Sequence, residues 1–125
     1  MPSLDIPMTS SSPQIHYNPE TMTLSMHGES YPENSFEFFD PVLAFVREVL
    51  AENTTFSFDI DVSYMNSSST KCVLDLLDLM EDAAAKGNDV SVQWQYDIDN
   101  PRALDLAEEF REEVTFPFNL VPRKP

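Results

Sequence analysis

The sequence predicts a two-layer α/β fold, in which a mixed sheet of four to five strands carries helices on one face. Several short segments alternate apolar and polar residues, as strands with one buried face do. Strands buried on both faces would be apolar throughout, so the alternation places helices on one face only. Other segments repeat their apolar residues at helical spacing, and the order β-β-α-β-α-β-α favours parallel pairing after an initial hairpin.

The residue patterns in the first half of the chain predict an arm, a hairpin and a long helix. Residues 1–13 are rich in Ser and Pro and predict a flexible arm, so that residues 14–125 form a single domain. Alternation on either side of residues 18–21 predicts two strands with a four-residue connection. Residues 36–50 keep one broad apolar face across Pro41, which indicates one helix bent there or a fresh helix starting at Asp40-Pro41.

The second half predicts strands and helices in alternation. Residues 55–64 alternate, and the apolar positions of this strand are Phe56, Phe58, Ile60, Val62 and Tyr64. A helix from about residue 67 to residue 86 follows, with Gly87 placed to end it. The next strand has Val90, Val92 and Trp94 on its apolar side. Asn100-Pro101 opens a third helix, and residues 116–121 form a short last strand or a coil.

The charge of the chain excludes several classes of partner. The 125 residues contain 22 acidic and 7 basic side chains, which gives a formal net charge of −15. Nucleic acids and anionic membrane surfaces need clustered cations, so neither is an expected partner. A protein with a basic surface fits better. We also expect no membrane insertion and a cytoplasmic location, because the chain has neither a long apolar run nor a secretory signal pattern, and its single cysteine, Cys72, forms no internal disulfide.

The sequence also argues against catalysis. Only two glycines are present, so a glycine-rich phosphate loop is excluded, and the two histidines and Cys72 lack metal-ligand spacing. No base stands beside the serines to activate a nucleophile. We therefore expect no enzyme activity, no metal and no cofactor. Asp59 and Asp61 on the open sheet face support one alternative hypothesis, in which the chain is a small enzyme or a ligand-binding domain.

The junction at residues 66–70 is the most informative stretch. The apolar period changes there from 2 to 3.6, so a strand ends and a helix begins among small hydroxyl residues. Unpaired backbone N–H groups and the helix dipole would stabilise a phosphate on Ser67 or Ser68. The simpler interpretation is that these residues only cap the helix. A protein that touches this helix start would also meet the acidic stripe that follows, so the expected contact residues are Asn66, Ser67, Ser68, Lys71, Asp75 and Asp78.

Six segments in order resemble the SiaC family of bacterial regulatory phosphoproteins. They read Ser-Tyr-Pro-Glu-Asn-Ser at 30–35, Tyr-Met-Asn-Ser-Ser-Ser at 64–69, Asp-Leu-Leu-Asp-Leu-Met-Glu at 75–81, Trp-Gln-Tyr-Asp at 94–97, Ala-Glu-Glu-Phe at 107–110 and Phe-Pro-Phe-Asn at 116–119. The family resembles STAS domains, in which a Ser or Thr at the start of the helix after a central strand is phosphorylated. Ser67 matches that position, and Ser68, Ser69 and Thr70 are the other candidate acceptors.

The resemblance implies a switch without catalytic activity. A cognate serine/threonine kinase adds the phosphate, and a PP2C-type phosphatase removes it. The unphosphorylated form binds and activates a diguanylate cyclase, which raises cyclic di-GMP and promotes aggregation or biofilm growth. The alternative within the same fold is a partner-switching protein similar to anti-sigma-factor antagonists, with a different target.

Overall fold

The structure, a computed structural model, describes residues 3–123. Its centre is a six-stranded sheet in chain order, with β1 at Asp5–Ile6, β2 at Gln14–Asn18, β3 at Thr23–Ser30, β4 at Thr55–Met65, β5 at Asp89–Asp97 and β6 at Phe118–Arg123. The pairs β1–β2 and β2–β3 are antiparallel, and the pairs from β3 to β6 are parallel. The predicted mixed sheet is confirmed, with six strands instead of four to five.

The additional strand lies within the segment predicted as a flexible arm. In β1, Asp5 pairs with His16 and Ile6 with Ile15, so this part of the arm belongs to the sheet. A strand of two residues is too short to produce a visible alternation, which is why the sequence pattern did not indicate it. The first two residues of the predicted arm lie outside the described part of the chain.

In the described residues, three helices connect the parallel strands, with α1 at Ser35–Glu52, α2 at Ser67–Ala85 and α3 at Pro101–Glu112. Each begins after an asparagine whose side chain accepts a backbone N–H of the first turn, and these caps are Asn34, Asn66 and Asn100. Helix α1 runs through Pro41 as one element, so the alternative of a fresh helix at that proline was wrong. No helix within residues 3–123 has the length and apolar content needed to span a membrane.

The hydrophobic core lies between the sheet and the helices. The predicted inward positions of β4 and β5 are almost fully buried, and Trp94 packs against Phe110 of α3 with ring centroids 4.9 Å apart. Ser57, Asp59 and Gln93, on the other side of the same strands, remain partly exposed. Successive right-handed connections that step in one direction along a sheet place their helices on the same face. The predicted one-sided architecture is therefore confirmed.

The end of β4 departs from the predicted alternation. Gly28 pairs with Val62 but Glu29 pairs with Tyr64, so Ser63 is an extra residue in a β-bulge. Beyond the bulge the phase reverses, and Met65 is buried. Tyr64, which was predicted on the apolar side, is 53% exposed. The bulge thus turns an aromatic side chain toward solvent just before α2 begins.

Strands β3 to β6 all end at the same edge of the sheet, and α1, α2 and α3 begin there. We refer to this edge as the carboxyl edge. In α/β proteins with parallel strands, binding sites form preferentially at this position, because strand ends and helix starts leave backbone groups and loop side chains free for contact. The candidate junction at residues 66–70 lies at the carboxyl edge.

Candidate functional site

Asn66 organises the junction between β4 and α2. Its side-chain Oδ1 accepts the backbone N–H of Ser69 at 2.9 Å, which caps the helix. Its own N–H donates to the carbonyl of Ser30 at 2.9 Å, and its carbonyl accepts the N–H of Thr70 at 2.9 Å. These contacts attach the start of α2 to the end of β3.

A cluster of four serine hydroxyls lies beneath the first turn of α2. Ser69 is fully buried; it accepts a hydrogen bond from Ser30 at 2.8 Å and shares one with Ser35 at 3.2 Å. Ser68 donates to Ser35 at 2.8 Å. Because buried hydroxyls are costly unless paired, the cluster holds β3, α1 and α2 in one arrangement. The sequence pattern missed Ser30 and Ser35, whose partners lie 33 to 39 residues away.

The four candidate phosphoacceptors differ in accessibility. Ser67 is exposed, and within residues 3–123 its hydroxyl takes part in none of the hydrogen bonds of the junction. Ser68 is half-buried and Ser69 is buried, and both belong to the serine cluster. The hydroxyl of Thr70 donates to the carbonyl of Asn66 at 3.0 Å.

Four of the expected contact residues on α2 share one face of the helix, whereas Ser68 belongs to the serine cluster. Ser67, Lys71 and Asp75 are spaced four residues apart, and Asp78 follows three residues later. This spacing places their side chains in one row, opposite the buried face of the helix. Lys71 and Asp78 are exposed and Asp75 is half-buried. The row therefore continues the exposed surface that starts at Ser67.

Cys72 faces the core rather than this surface. It is 1% exposed, and its Sγ lies 3.8 Å from the carbonyl oxygen of Ser35. Burial raises the pKa of the Cys72 thiol, Asp75 raises it further, and Lys71 opposes the shift. The thiol is therefore protonated at neutral pH and acts as a small core side chain.

Exposed apolar side chains are found at the same edge of the sheet as the junction, a feature that the sequence pattern did not indicate. Six large apolar side chains within residues 3–123 are exposed, namely Met8, Tyr31, Phe36, Tyr64, Ile98 and Val121. Tyr31 and Ile98 follow β3 and β5, Tyr64 lies near the end of β4, and Phe36 lies in the first turn of α1. Val121 lies in the second half of β6, and Met8 packs over Gly28 in β3. All six thus lie at or near the carboxyl edge. Phe36 was predicted on the buried face of α1, but it is 54% exposed, because it lies about 100° around the helix from Ser35, which is buried.

On the open face of the sheet, the two aspartates are engaged within the protein. Asp61 accepts a hydrogen bond from Arg123 at 2.9 Å and lies 3.3 Å from the Nδ1 of His27. Asp59 accepts a hydrogen bond from Gln95 at 3.0 Å. In the part of the chain that the structure describes, no group of three or more His, Cys, Asp or Glu side chains is placed to hold a metal ion.

We expect Asn66→Ala to lower the free energy of unfolding by about 1 kcal/mol, because it removes the cap and leaves the Ser69 amide without its acceptor. Thermal or denaturant unfolding of the two proteins measures the difference. Asn66→Asp keeps an acceptor oxygen at the same place and serves as the control. Equal losses in both variants would contradict the assignment of Asn66 as the cap.

This chain is similar to proteins of known family and known structure. The model of the SiaC family of regulatory phosphoproteins matches residues 6–123. A protein of Pseudomonas aeruginosa strain UCBPP-PA14 is 45% identical over 119 residues, which are 94% of each chain. The structure of SiaC of Pseudomonas aeruginosa is 43% identical, with a TM-score of 0.91 over 98% of this chain and 100% of that chain.

A chain of a second Pseudomonas aeruginosa structure is also similar to this protein. That crystal structure contains the diguanylate cyclase SiaD in complex with its activator SiaC. The similarity covers 96% of this chain and 99% of that chain, with 44% identity and a TM-score of 0.93. The fold described above is therefore one that, in a relative, forms a complex with a cyclase.

Proposed function

Because the chain belongs to the SiaC family of regulatory phosphoproteins, we propose that it is a phosphorylation-switched activator of a diguanylate cyclase. In this proposal the unphosphorylated form binds the cyclase and raises cyclic di-GMP, which promotes biofilm growth or aggregation. A cognate serine/threonine kinase adds a phosphate to the chain, and a PP2C-type phosphatase removes it. The chain acts by binding and has no catalytic residues of its own.

One observation carries the proposal: the exposed hydroxyl of Ser67 lies at the carboxyl edge, where the exposed apolar side chains are also found. Exposed apolar side chains that lie together, as Tyr31 and Tyr64 do with ring centroids 5.9 Å apart, mark surfaces that bind other proteins. A hydroxyl at such a surface is reachable by a kinase when the partner is absent and lies within the contact area when the partner is bound. One site can therefore both receive the phosphate and control the contact.

Accessibility favours Ser67 as the acceptor over its three neighbours. Ser69 would have to leave the buried serine cluster to reach a kinase, and Ser68 would have to break its bond with Ser35. Thr70 would lose its bond to the carbonyl of Asn66. Modification of Ser67 requires none of these changes. The phosphate would also stand at the N-terminus of α2, where the helix dipole and unpaired N–H groups favour negative charge.

A phosphate on Ser67 changes binding through desolvation. It adds about −1.5 to −2 charges and three acceptor oxygens to a small neutral side chain. A partner that covers the site must remove water from that charge, and an unpaired buried charge costs several kcal/mol. Lys71 lies one helical turn further along the same face, but it is exposed and compensates only part of the charge. Binding therefore weakens without a change of fold.

The charge of the chain indicates the complementary surface. The protein has a formal net charge of −15, and Asp75 and Asp78 place negative charge on the face of α2 that begins at Ser67. A cyclase surface with Lys or Arg beside its apolar contacts would match this pattern and would speed association. Asn66 and Ser68 lie at the same helix start, although Asn66 acts mainly as the cap and Ser68 bonds to Ser35.

The alternative target, a different partner in an anti-sigma-factor-antagonist-like switch, would use the same surface. The similarity to the SiaC that activates SiaD favours the cyclase. An enzyme or ligand site on the open sheet face is less well supported, because Asp59 and Asp61 already bond to Gln95, His27 and Arg123.

We expect incubation with the cognate kinase and ATP to place phosphate on Ser67 alone, because the other three hydroxyls at this junction are engaged. Mass spectrometry of peptides that contain residues 64–72 identifies the modified side chain. Ser67→Ala should remove the modification, whereas the control Thr70→Ala should keep it. Phosphate on Ser68, Ser69 or Thr70 in the unaltered chain would contradict the assignment.

In the same experiment, only the unphosphorylated chain should raise cyclic di-GMP production by the cyclase.

A further inference from the structure

We propose that the N-terminal segment 8–12 is part of the partner-binding surface, where it positions Tyr31 against an apolar partner segment that carries Arg or Lys. The inference rests on the proposed function and extends the contact surface to a part of the chain distant in sequence from the phosphorylation site. In this arrangement Thr9 is a positioning residue for Tyr31.

The segment forms a turn that depends on one hydroxyl. The Oγ1 of Thr9 accepts the backbone N–H groups of Ser11 at 3.2 Å and Ser12 at 3.0 Å. It also shares a hydrogen bond with the Ser12 hydroxyl at 2.6 Å, and the N–H of Thr9 donates to the Ser12 carbonyl at 3.0 Å. Ser12 is buried, so the end of the turn is attached to the domain. Loss of the Thr9 hydroxyl would therefore loosen the whole turn.

The turn holds Tyr31 at two points. The N–H of Tyr31 donates to the carbonyl of Ser11 at 2.7 Å, and its phenolic hydroxyl donates to the carbonyl of Ser10 at 2.7 Å. Tyr31 is nevertheless 41% exposed, so these bonds fix a ring that the core does not hold. An exposed aromatic side chain that is already ordered loses less conformational entropy when a partner binds it.

The fixed ring is continuous with the phosphorylation surface. Its centroid lies 5.9 Å from that of Tyr64 in an edge-to-face arrangement, and Tyr64 lies three residues before Ser67. Met8, at the start of the N-terminal segment, packs over Gly28, where a Cβ atom would lie 3.3 Å from the Met8 sulfur. Tyr31 and Tyr64 thus form an exposed strip that leads from the N-terminal turn toward Ser67. Tyr side chains at the centre of such surfaces often contribute most to binding.

The surroundings of the strip determine the chemistry of its partner. Glu29 and Glu33 are both exposed, each two residues from Tyr31, and Glu29 pairs with Tyr64 across the strands. Exposed tyrosine rings near carboxylates favour an apolar partner segment that carries a cation, since the cation can contact both the ring face and the carboxylates. A partner segment with an apolar side chain and a neighbouring Arg or Lys fits this surface.

The test uses Thr9→Val and Tyr31→Phe in the full chain, with the diguanylate cyclase that the unphosphorylated chain activates as the probe. Thr9→Val removes the organising hydroxyl at nearly constant size, and Tyr31→Phe removes only the bond to Ser10. Each should weaken cyclase binding by about 3- to 10-fold, as expected for loss of a hydrogen bond that orders a contact residue. The control Thr9→Ser keeps the hydroxyl and should bind as the unaltered chain does.

A double variant separates positioning from a general loss of stability. If both changes act by releasing Tyr31, Thr9→Val with Tyr31→Phe should bind no more weakly than the weaker single variant, because interactions that share one residue are not additive. Hydrogen exchange at the Tyr31 amide should rise in Thr9→Val, while the thermal unfolding temperature stays within a few degrees of that of the unaltered chain.

Ser67→Asp, measured beside these variants, distinguishes the two proposals. If Ser67→Asp weakens binding while Thr9→Val and Tyr31→Phe bind normally, the role of the N-terminal turn is refuted and the proposed function stands. Fully additive losses in the double variant would also refute positioning. If the unphosphorylated chain does not bind the cyclase at all, the proposed function itself fails.

Discussion

Ser67→Asp is expected to bind the cyclase at least about tenfold more weakly than Ser67→Ala, which corresponds to about 1.4 kcal/mol. The substitution places one negative charge at the exposed start of α2, where a bound partner would have to desolvate it. Asp has one charge and two oxygens, so its effect should be smaller than that of a phosphate. Affinity and cyclic di-GMP production, measured for both variants, give the result.

The control for this experiment is Ser67→Asn, which has nearly the size of Asp without its charge. It should bind almost as well as Ser67→Ala if charge rather than bulk opposes the partner. All three variants should unfold at similar temperatures, because the side chain is exposed and an acidic residue in the first helical turn is favourable. Equal affinities for Ser67→Asp and Ser67→Asn would leave the desolvation mechanism without support, and tighter binding by Ser67→Asp would reverse the sign of the switch.

Ser69→Asp is expected to destabilise the fold by several kcal/mol, although it lies only two residues from Ser67. The side chain of Ser69 is fully buried between Ser30 and Ser35, so a carboxylate there is both too large and without a positive partner. An uncompensated buried charge costs about 3–5 kcal/mol, a large part of the roughly 5–15 kcal/mol that stabilises a domain. Denaturant unfolding at neutral pH measures the loss.

The loss should depend on pH with a definite sign. Burial raises the pKa of the introduced carboxyl above its value in the unfolded chain, about 3.9 for Asp. The folded state then binds more protons between the two pKa values, so the variant should recover part of its stability as the pH falls through the raised pKa. Ser69→Asn, which cannot ionise, should lose less stability and show no such added pH dependence. Normal stability of Ser69→Asp at pH 7 would contradict the buried position of Ser69.

The match between sequence and structure was closest where a feature depends on neighbouring residues. Alternation identified the long strands, helical spacing identified α1, α2 and α3, and Asn66 and Asn100 were predicted as helix caps from their local context. Residues that resemble the SiaC family indicated both the family and the position of the junction. These signals survive in a linear sequence because strand and helix periods and caps involve residues only a few positions apart.

Features that depend on distant residues could not be predicted in this way. The bulge that exposes Tyr64 exists only because β4 pairs with β3, where Gly28 and Glu29 set the register. Strand β1 is defined by its pairing with β2 and not by any pattern of its own. The attachment of the N-terminal turn to Tyr31 joins residues about 20 positions apart in the chain, with the hydroxyl contact to Ser10 spanning 21.

The class of fold, the resemblance to the family and the stretch of small hydroxyl residues at which a strand gives way to a helix were all evident from local residue patterns. Which of those hydroxyls is accessible depends instead on how distant elements pack. Ser67, Ser68 and Ser69 are chemically identical in the sequence, but Ser30 and Ser35 approach from other elements and enclose Ser68 and Ser69. Accessibility depends on which atoms surround a side chain, and here those atoms belong to residues more than 30 positions away.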